Sequence, residues 1–155
     1  MGERCTISGH IQDAWYFRGS DEDVRLLEEH NRRVIVGLPE VDVWPPLTRG
    51  MFSFSPNESF HRDHVVTTFR GQVIYFGGSF SKLYLDLAEW LEKFESLLRR
   101  LYWEHAVVVL VTELMGHFTY RWDATPEAAE LFSAEPPVPV QEWRFEGGPR
   151  SFSGD

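Results

Sequence analysis

Between Ser81 and Trp103 the sequence repeats apolar residues at alternating steps of four and three: Leu83, Leu87, Trp90, Phe94, Leu97 and Leu101. Tyr84, Leu91 and Leu98 widen that stripe, while Lys82, Asp86, Glu89, Glu92, Lys93, Glu95, Ser96, Arg99 and Arg100 fill the other side. A 3.6-residue period with no proline or glycine inside it predicts an amphipathic helix over 81–103. At about 1.5 Å per residue it would run roughly 33 Å, the width of a small domain. An apolar face that broad is unstable in water unless other elements cover it. The flanking runs QVIYF (72–76) and AVVVLV (106–111) are rich in β-branched and aromatic residues and read as strands that supply the cover.

A chain of 155 residues, 43% hydrophobic and 15% aromatic, is long enough to bury one core and too apolar to stay unfolded. Six Trp and twelve Phe point to packing by large rings. The longest apolar run, Ala106 to Val111, is far short of the roughly 18 residues of a membrane span. The first ten residues lack the apolar centre of a secretory signal. One cysteine, Cys5, allows no internal disulfide and no metal cluster. The expectation is a cytoplasmic single domain over 1–145, followed by a disordered tail at 146–155.

The formal charge of −9 is unevenly spread: residues 104–155 hold nine acidic and three basic side chains. Phosphate contacts need clustered Lys and Arg, so this balance argues against nucleic-acid binding and against anionic membranes. It would instead steer a basic protein toward the C-terminal third.

Elsewhere Thr6 to Gln12 reads as a first strand. Ser20 is placed to cap a short helix that runs to about Asn31, with Asp21, Glu22 and Asp23 in its first turn. Val34 to Val36 is expected to be a strand, and the prolines of VDVWPPL end regular structure after it. Phe52 and Phe54 alternate within a strand. Val65 to Phe69 and Gln72 to Phe76 flank Arg70-Gly71 as a hairpin. Ala106 to Val111, apolar on both parities, predicts a central strand covered on both faces. Met115-Gly116 turns the chain into a strand carrying Phe118, Tyr120 and Trp122. Thr125 caps a helix from Pro126 to Phe132. The sum is an α+β single domain: a mixed, mostly antiparallel sheet of five to seven strands, one long helix on a face and two short helices.

Four groupings could carry chemistry. His61, Asp63 and His64 (HRDH) present two imidazoles and a carboxylate within four residues, a set able to chelate a divalent metal, but without an HExxH frame or a cysteine. The segment Gly77 to Lys82 (GGSFSK) stands between a strand and a helix start, where backbone N–H groups could cradle an anion. It lacks the spacing of a phosphate loop and reads more simply as a tight turn with a serine cap. No G-x-S-x-G elbow is present, and no cofactor is implied. Finally Trp15, Trp44, Trp143 and Phe145 stand in connecting segments with carboxylates nearby, the composition of interface anchors in a polar rim.

In general character the chain is similar to small acidic bacterial proteins that work by binding another protein, immunity proteins among them; the likeness is one of composition and carries no residues. The expected function is a non-enzymatic protein-binding module for a basic partner. The alternative is a small metal- or anion-dependent enzyme using His61, Asp63 and His64 or the Gly77–Lys82 turn. An apolar edge would also allow a homodimer.

Overall fold

Strict alternation of apolar and polar residues builds the centre of the domain. In the strand β1 (Arg4–Gln12), Cys5, Ile7 and Ile11 are buried and the residues between them are not. The computed structural model describes residues 3–12, 21–55, 72–134 and 136–152. Within these, five further strands, β2 (Phe52–Phe54), β3 (Val73–Ser81), β4 (His105–Thr112), β5 (Gly116–Ala124) and β6 (Trp143–Gly147), join β1 in one sheet of order β2-β3-β1-β4-β5-β6. Every pairing is antiparallel. Three helices complete the described domain: α1 (Asp21–Val36), α2 (Leu87–Leu98) and α3 (Pro126–Glu130). This is an α+β fold. None of these helices is long and apolar enough to cross a membrane.

Because β3 and β4 each run antiparallel to β1, they run parallel to one another. The connection from β3 through α2 to β4 is therefore a parallel crossover, and it straddles β1 instead of joining neighbours. Register places Ile7 opposite Gly78 and Leu110, and Ile11 opposite Ile74 and Ala106, so one sheet face is apolar across its width. Leu87, Trp90, Leu91, Phe94, Leu97 and Leu98 of α2 pack on it. Trp90 stacks on Phe94 at 5.4 Å, and Phe94 meets Phe76 at 5.2 Å and Trp122 at 5.1 Å. Offset and tilted ring pairs of this kind add to the area they bury.

Two helix expectations need correction. Ser81 ends β3, Lys82 takes a left-handed conformation (φ 57°), and Leu83–Asp86 form a 3₁₀ turn before α2 starts at Leu87. After Leu98 the chain leaves helical form, yet Leu83, Leu101 and Trp103 are all fully buried. The apolar stripe correctly marks what is buried; a 3₁₀ turn and an irregular exit satisfy it as well as helix does. The helix expected to stop near Asn31 instead continues through Val34–Val36, which are not a strand, and at 16 residues α1 is longer than α2. Its buried stripe is Leu27, Asn31 and Ile35, four residues apart. The middle member is polar, which hides the period from hydropathy. Asn31 is satisfied by Tyr102: Nδ2 donates to the carbonyl at 2.8 Å and Oδ1 accepts from the backbone N–H at 2.9 Å.

β4 differs as well. Ala106, Val108 and Leu110 are fully buried, but Val107, Val109 and Val111 are only half-buried, so the strand is covered completely on one face alone. Across the whole opposite sheet face, from Ser53 through Tyr75, Thr6, Val109 and Thr119 to Glu146, no described side chain is fully buried.

Residues 146–152, read from sequence as outside the domain, are docked on it. Glu146 and Gly147 extend β6, Arg150 pairs with Glu95, and Phe152 packs edge-on against Phe118 at 4.9 Å. The expected α3 begins at Pro126, with Thr125 Oγ1 accepting from Ala128 N. The segments holding Ser20 and the expected hairpin strand Val65–Phe69 lie outside the described residues.

Candidate functional site

The chain between Pro39 and Arg49 is held as a closed loop. Arg49 N–H donates to Pro39 C=O at 3.0 Å, and the Arg49 guanidinium pairs with Glu40. Inside the loop the Asp42 carboxylate accepts from the N–H groups of Val43 (2.9 Å) and Leu47 (3.0 Å). From α2, Lys93 Nζ donates to Asp42 Oδ2 at 2.9 Å, to Val43 C=O at 3.0 Å and to Pro45 C=O at 2.7 Å, which uses all three of its N–H bonds. Trp90 Nε1 donates to Pro46 C=O at 2.9 Å. The hydrogen bond from Lys93, helped by that from Leu47 N–H, holds the Asp42 carboxyl below its ordinary range. The Trp44–Pro45 peptide is cis.

This scaffold projects apolar groups outward. Val41 is 87% exposed, Val43 75% and Trp44 48%. Trp44 is half-exposed and anchored: Nε1 donates to Asp86 Oδ2 at 2.7 Å and the indole meets Phe80 edge-on at 6.0 Å. Asp86 precedes α2, and Glu89 lies four residues before Lys93 on the helix face that the loop crosses. An apolar apex with a carboxylate border results.

The other expected anchors do not join it. Trp143 and Phe145 lie on β6, the far edge of the sheet. The Arg99 guanidinium covers the Trp143 ring at 4.4 Å, and Arg150 covers Phe145 at 4.9 Å. Phe145 also contacts Trp122 at 5.1 Å, so both rings close the end of the core. Trp15 lies outside the described residues, as do His61, Asp63 and His64.

Gly77–Lys82 is not a turn. Gly77 to Ser81 continue β3 in register with β1, from Ser8 to Arg4, and Lys82 N–H is spent on Glu3 C=O at 2.7 Å. The residue before α2 is Asp86, a carboxylate where an anion cradle would need open N–H groups. Cys5 is fully buried in β1.

One grouping had no sequence signal because its members are far apart in the chain. On the open sheet face His10 and His105 are diagonal neighbours with ring centroids 5.8 Å apart. His105 Nδ1–H donates to Asp123 Oδ1 at 2.7 Å, directly across the β4–β5 pair. Burial, and secondarily the His105 ring, push the His10 imidazole below its ordinary 6.5, which favours the neutral ring. Strand pairing alone brings these residues together, and it could be anticipated only with the register known. Among the described residues no three His, Cys, Asp or Glu side chains converge to hold a metal ion.

Comparison with protein-family models, with curated proteins and with solved structures finds no significant match to this chain.

Proposed function

We propose that the chain is a non-enzymatic protein-binding module for a basic partner, with the loop Pro39–Arg49 as its contact surface. In general character this is the way small acidic immunity proteins act. The observation that carries the reading is the exposure of Val41 and Val43, at 87% and 75%, on a loop fixed by hydrogen bonds from Lys93 and Trp90. Exposed valines on a loop that must be mobile for other reasons would mean little. Held still, they are apolar surface that contributes nothing to the core, and a partner that covers them loses little ordering entropy on this side. Trp44 adds the residue type most often found at the energetic centre of interfaces. The sign of the partner follows from the border: Asp86 and Glu89 flank the apex, Lys93 is consumed internally, and the chain carries −9.

The test is a photo-crosslinking residue placed at Val43, and at Thr119 on the open sheet face as control, in lysate of the source cells. A single adduct at position 43, suppressed by salt and by Trp44→Ala, supports the reading. Equal labelling at both positions, or none at either, removes it.

A further inference from the structure

β6 forms one outer edge of the described sheet. Two backbone bonds fix which groups face outward: Thr125 N–H donates to Glu142 C=O at 3.3 Å, and Gly148 N–H donates to Thr119 C=O at 3.2 Å. Both fall in the register that pairs Tyr120 with Gly147 and Ala124 with Trp143. In an antiparallel ladder, bonded residues alternate with non-bonded ones. Residues 142, 144, 146 and 148 therefore turn their N–H and C=O groups toward β5, and Trp143, Phe145 and Gly147 turn theirs outward. β6 is the last strand of the described sheet, so among the described residues no strand lies beside those outward groups.

Side chains follow the same alternation. Arg144 and Glu146 stand on the open face, both exposed, while Trp143 and Phe145 face the core side. Across β5–β6 the open face is a checkerboard: Asp123 opposite Arg144, and Arg121 opposite Glu146. We propose that β6 is a homodimerisation edge, on which β6 of a second copy pairs antiparallel about a two-fold axis at Phe145.

That register is selected twice, independently. Phe145 on the axis must be a bonded pair with its own copy, which requires its N–H and C=O to point outward, as they do; Trp143 then bonds Gly147 of the second copy. The same register sets Arg144 opposite Glu146 of the second copy, and Glu146 opposite its Arg144. The checkerboard then runs unbroken through the junction: Asp123, Arg144, then Glu146 and Arg121 of the second copy. A slip of one residue would turn the charges to the other face, and a slip of two would leave Arg144 facing Arg144. Trp143, the largest side chain of the strand, meets the glycine of the pair. Charged residues on an edge commonly prevent such pairing; here each is the complement of its own two-fold mate, so the edge rejects other strands and accepts itself.

The experiment is sedimentation velocity of the full chain, Arg144→Glu, Glu146→Arg and an equimolar mixture of the two variants, with circular dichroism confirming each fold. The wild type should sediment as a dimer that dissociates on dilution. Each variant sets like charges opposite one another and should weaken association by roughly tenfold or more. The mixture, with an all-acidic edge meeting an all-basic one, should restore the dimer. Amide exchange gives a second reading: on dimerisation the Trp143, Phe145 and Gly147 N–H groups should slow, while those of Arg144 and Glu146, already bonded to β5, should not change. A wild type that is monomeric at every concentration overturns the proposal, as does a dimer indifferent to both variants or one that leaves those three amides unprotected. None of these outcomes touches the Pro39–Arg49 loop, so failure here and failure of the proposed function are separable.

Discussion

Lys93 and Asp42, 51 positions apart in the chain, form an ion pair of 2.9 Å that fixes the exposed loop to α2. Both groups are partly shielded, with side chains 30% and 21% exposed, and both carry further hydrogen bonds. A pair of this kind contributes more than one in open water. Lys93→Met keeps most of the aliphatic stem but removes the cation paired with Asp42 and the donor to the Val43 and Pro45 carbonyls, leaving Asp42 only its two backbone donors. The expected cost is about 1–2 kcal/mol in urea denaturation. Exchange of the Leu47 amide should accelerate by more than the global loss of stability explains, because the loop opens locally. If that amide slows or is unchanged, the loop does not depend on Lys93.

Gly9 supports a tight approach between strands. A Cβ placed there would stand 1.9 Å from the Val107 carbonyl oxygen and 2.7 Å from the Phe76 ring. The ring can shift, but the carbonyl belongs to the neighbouring strand and cannot shift without parting β1 from β4. Gly9→Ala should therefore destabilise by about 3 kcal/mol, contrary to the usual gain from replacing a strand glycine. A denaturation midpoint equal to that of the wild type would show that the sheet accommodates the methyl group.

The His10 imidazole makes stability depend on pH near neutrality. Its folded pKa is depressed below 6.5 by burial and then by His105, so the unfolded chain binds the proton more readily. Stability is full above the unfolded value and declines as pH falls through 6.5 toward the lower folded value. Tyr75 and Val107 stand opposite His10 in the ladder, with Arg121 beyond Val107 and Asp123 beyond His105. No carboxylate is directly opposite to offset the charge. Denaturation at pH about 7 and about 5 should show a drop that His10→Asn largely removes. The depressed Asp42 carboxyl acts in a separate window, below its ordinary 3.8. A wild type equally stable at both pH values would contradict this assignment.

What sequence could reveal here was burial more than backbone form. The period-three-and-four stripe from Leu83 to Leu101 names core residues that are fully or almost fully buried, yet helix covers only Leu87–Leu98. Asn31 concealed the second half of α1, because a hydrogen-bonded amide can occupy a core position that hydropathy assigns to solvent. Glycine pairs suggested a loop at Gly77-Gly78, but in β3 Gly78 stands beneath the Phe80 ring, 2.7 Å from where its Cβ would lie. A mostly antiparallel sheet of five to seven strands, the Thr125 cap and the turn at Gly116 were readable from local runs of residues, but the strand order was not, because β1 pairs with β3 and β4 far along the chain. The exposed loop was not: its rigidity comes from Lys93, and no local pattern links residue 93 to residue 42.

The last segment was the least readable, and it gives the sharpest test. Arg150 holds Glu95 through two bonds, Nη2 to Oε1 at 2.8 Å and Nη1 to Oε2 at 3.1 Å, while Trp122 Nε1 donates to the same Oε2 at 2.8 Å. Glu95 is only 15% exposed, so Arg150→Ala leaves a shielded carboxylate with Trp122 as its remaining side-chain donor among the described residues and should cost about 1–2 kcal/mol. Arg150→Lys keeps the charge without the fork and should recover only part of it. Beneath this segment Tyr120 donates its hydroxyl proton to Pro149 C=O, and burial pushes its pKa up to about 12. Truncation after Gly147 removes both the acceptor and the cover, so the Tyr120 phenol should titrate back toward its ordinary 10. The raised value also means that the intact chain loses stability as pH rises from 10 toward about 12, and that the truncated chain loses less over that interval. Ultraviolet titration of the two chains decides it. Coincident phenolate curves would mean that residues 148–152 do not shield Tyr120 in solution and that the domain ends with β6.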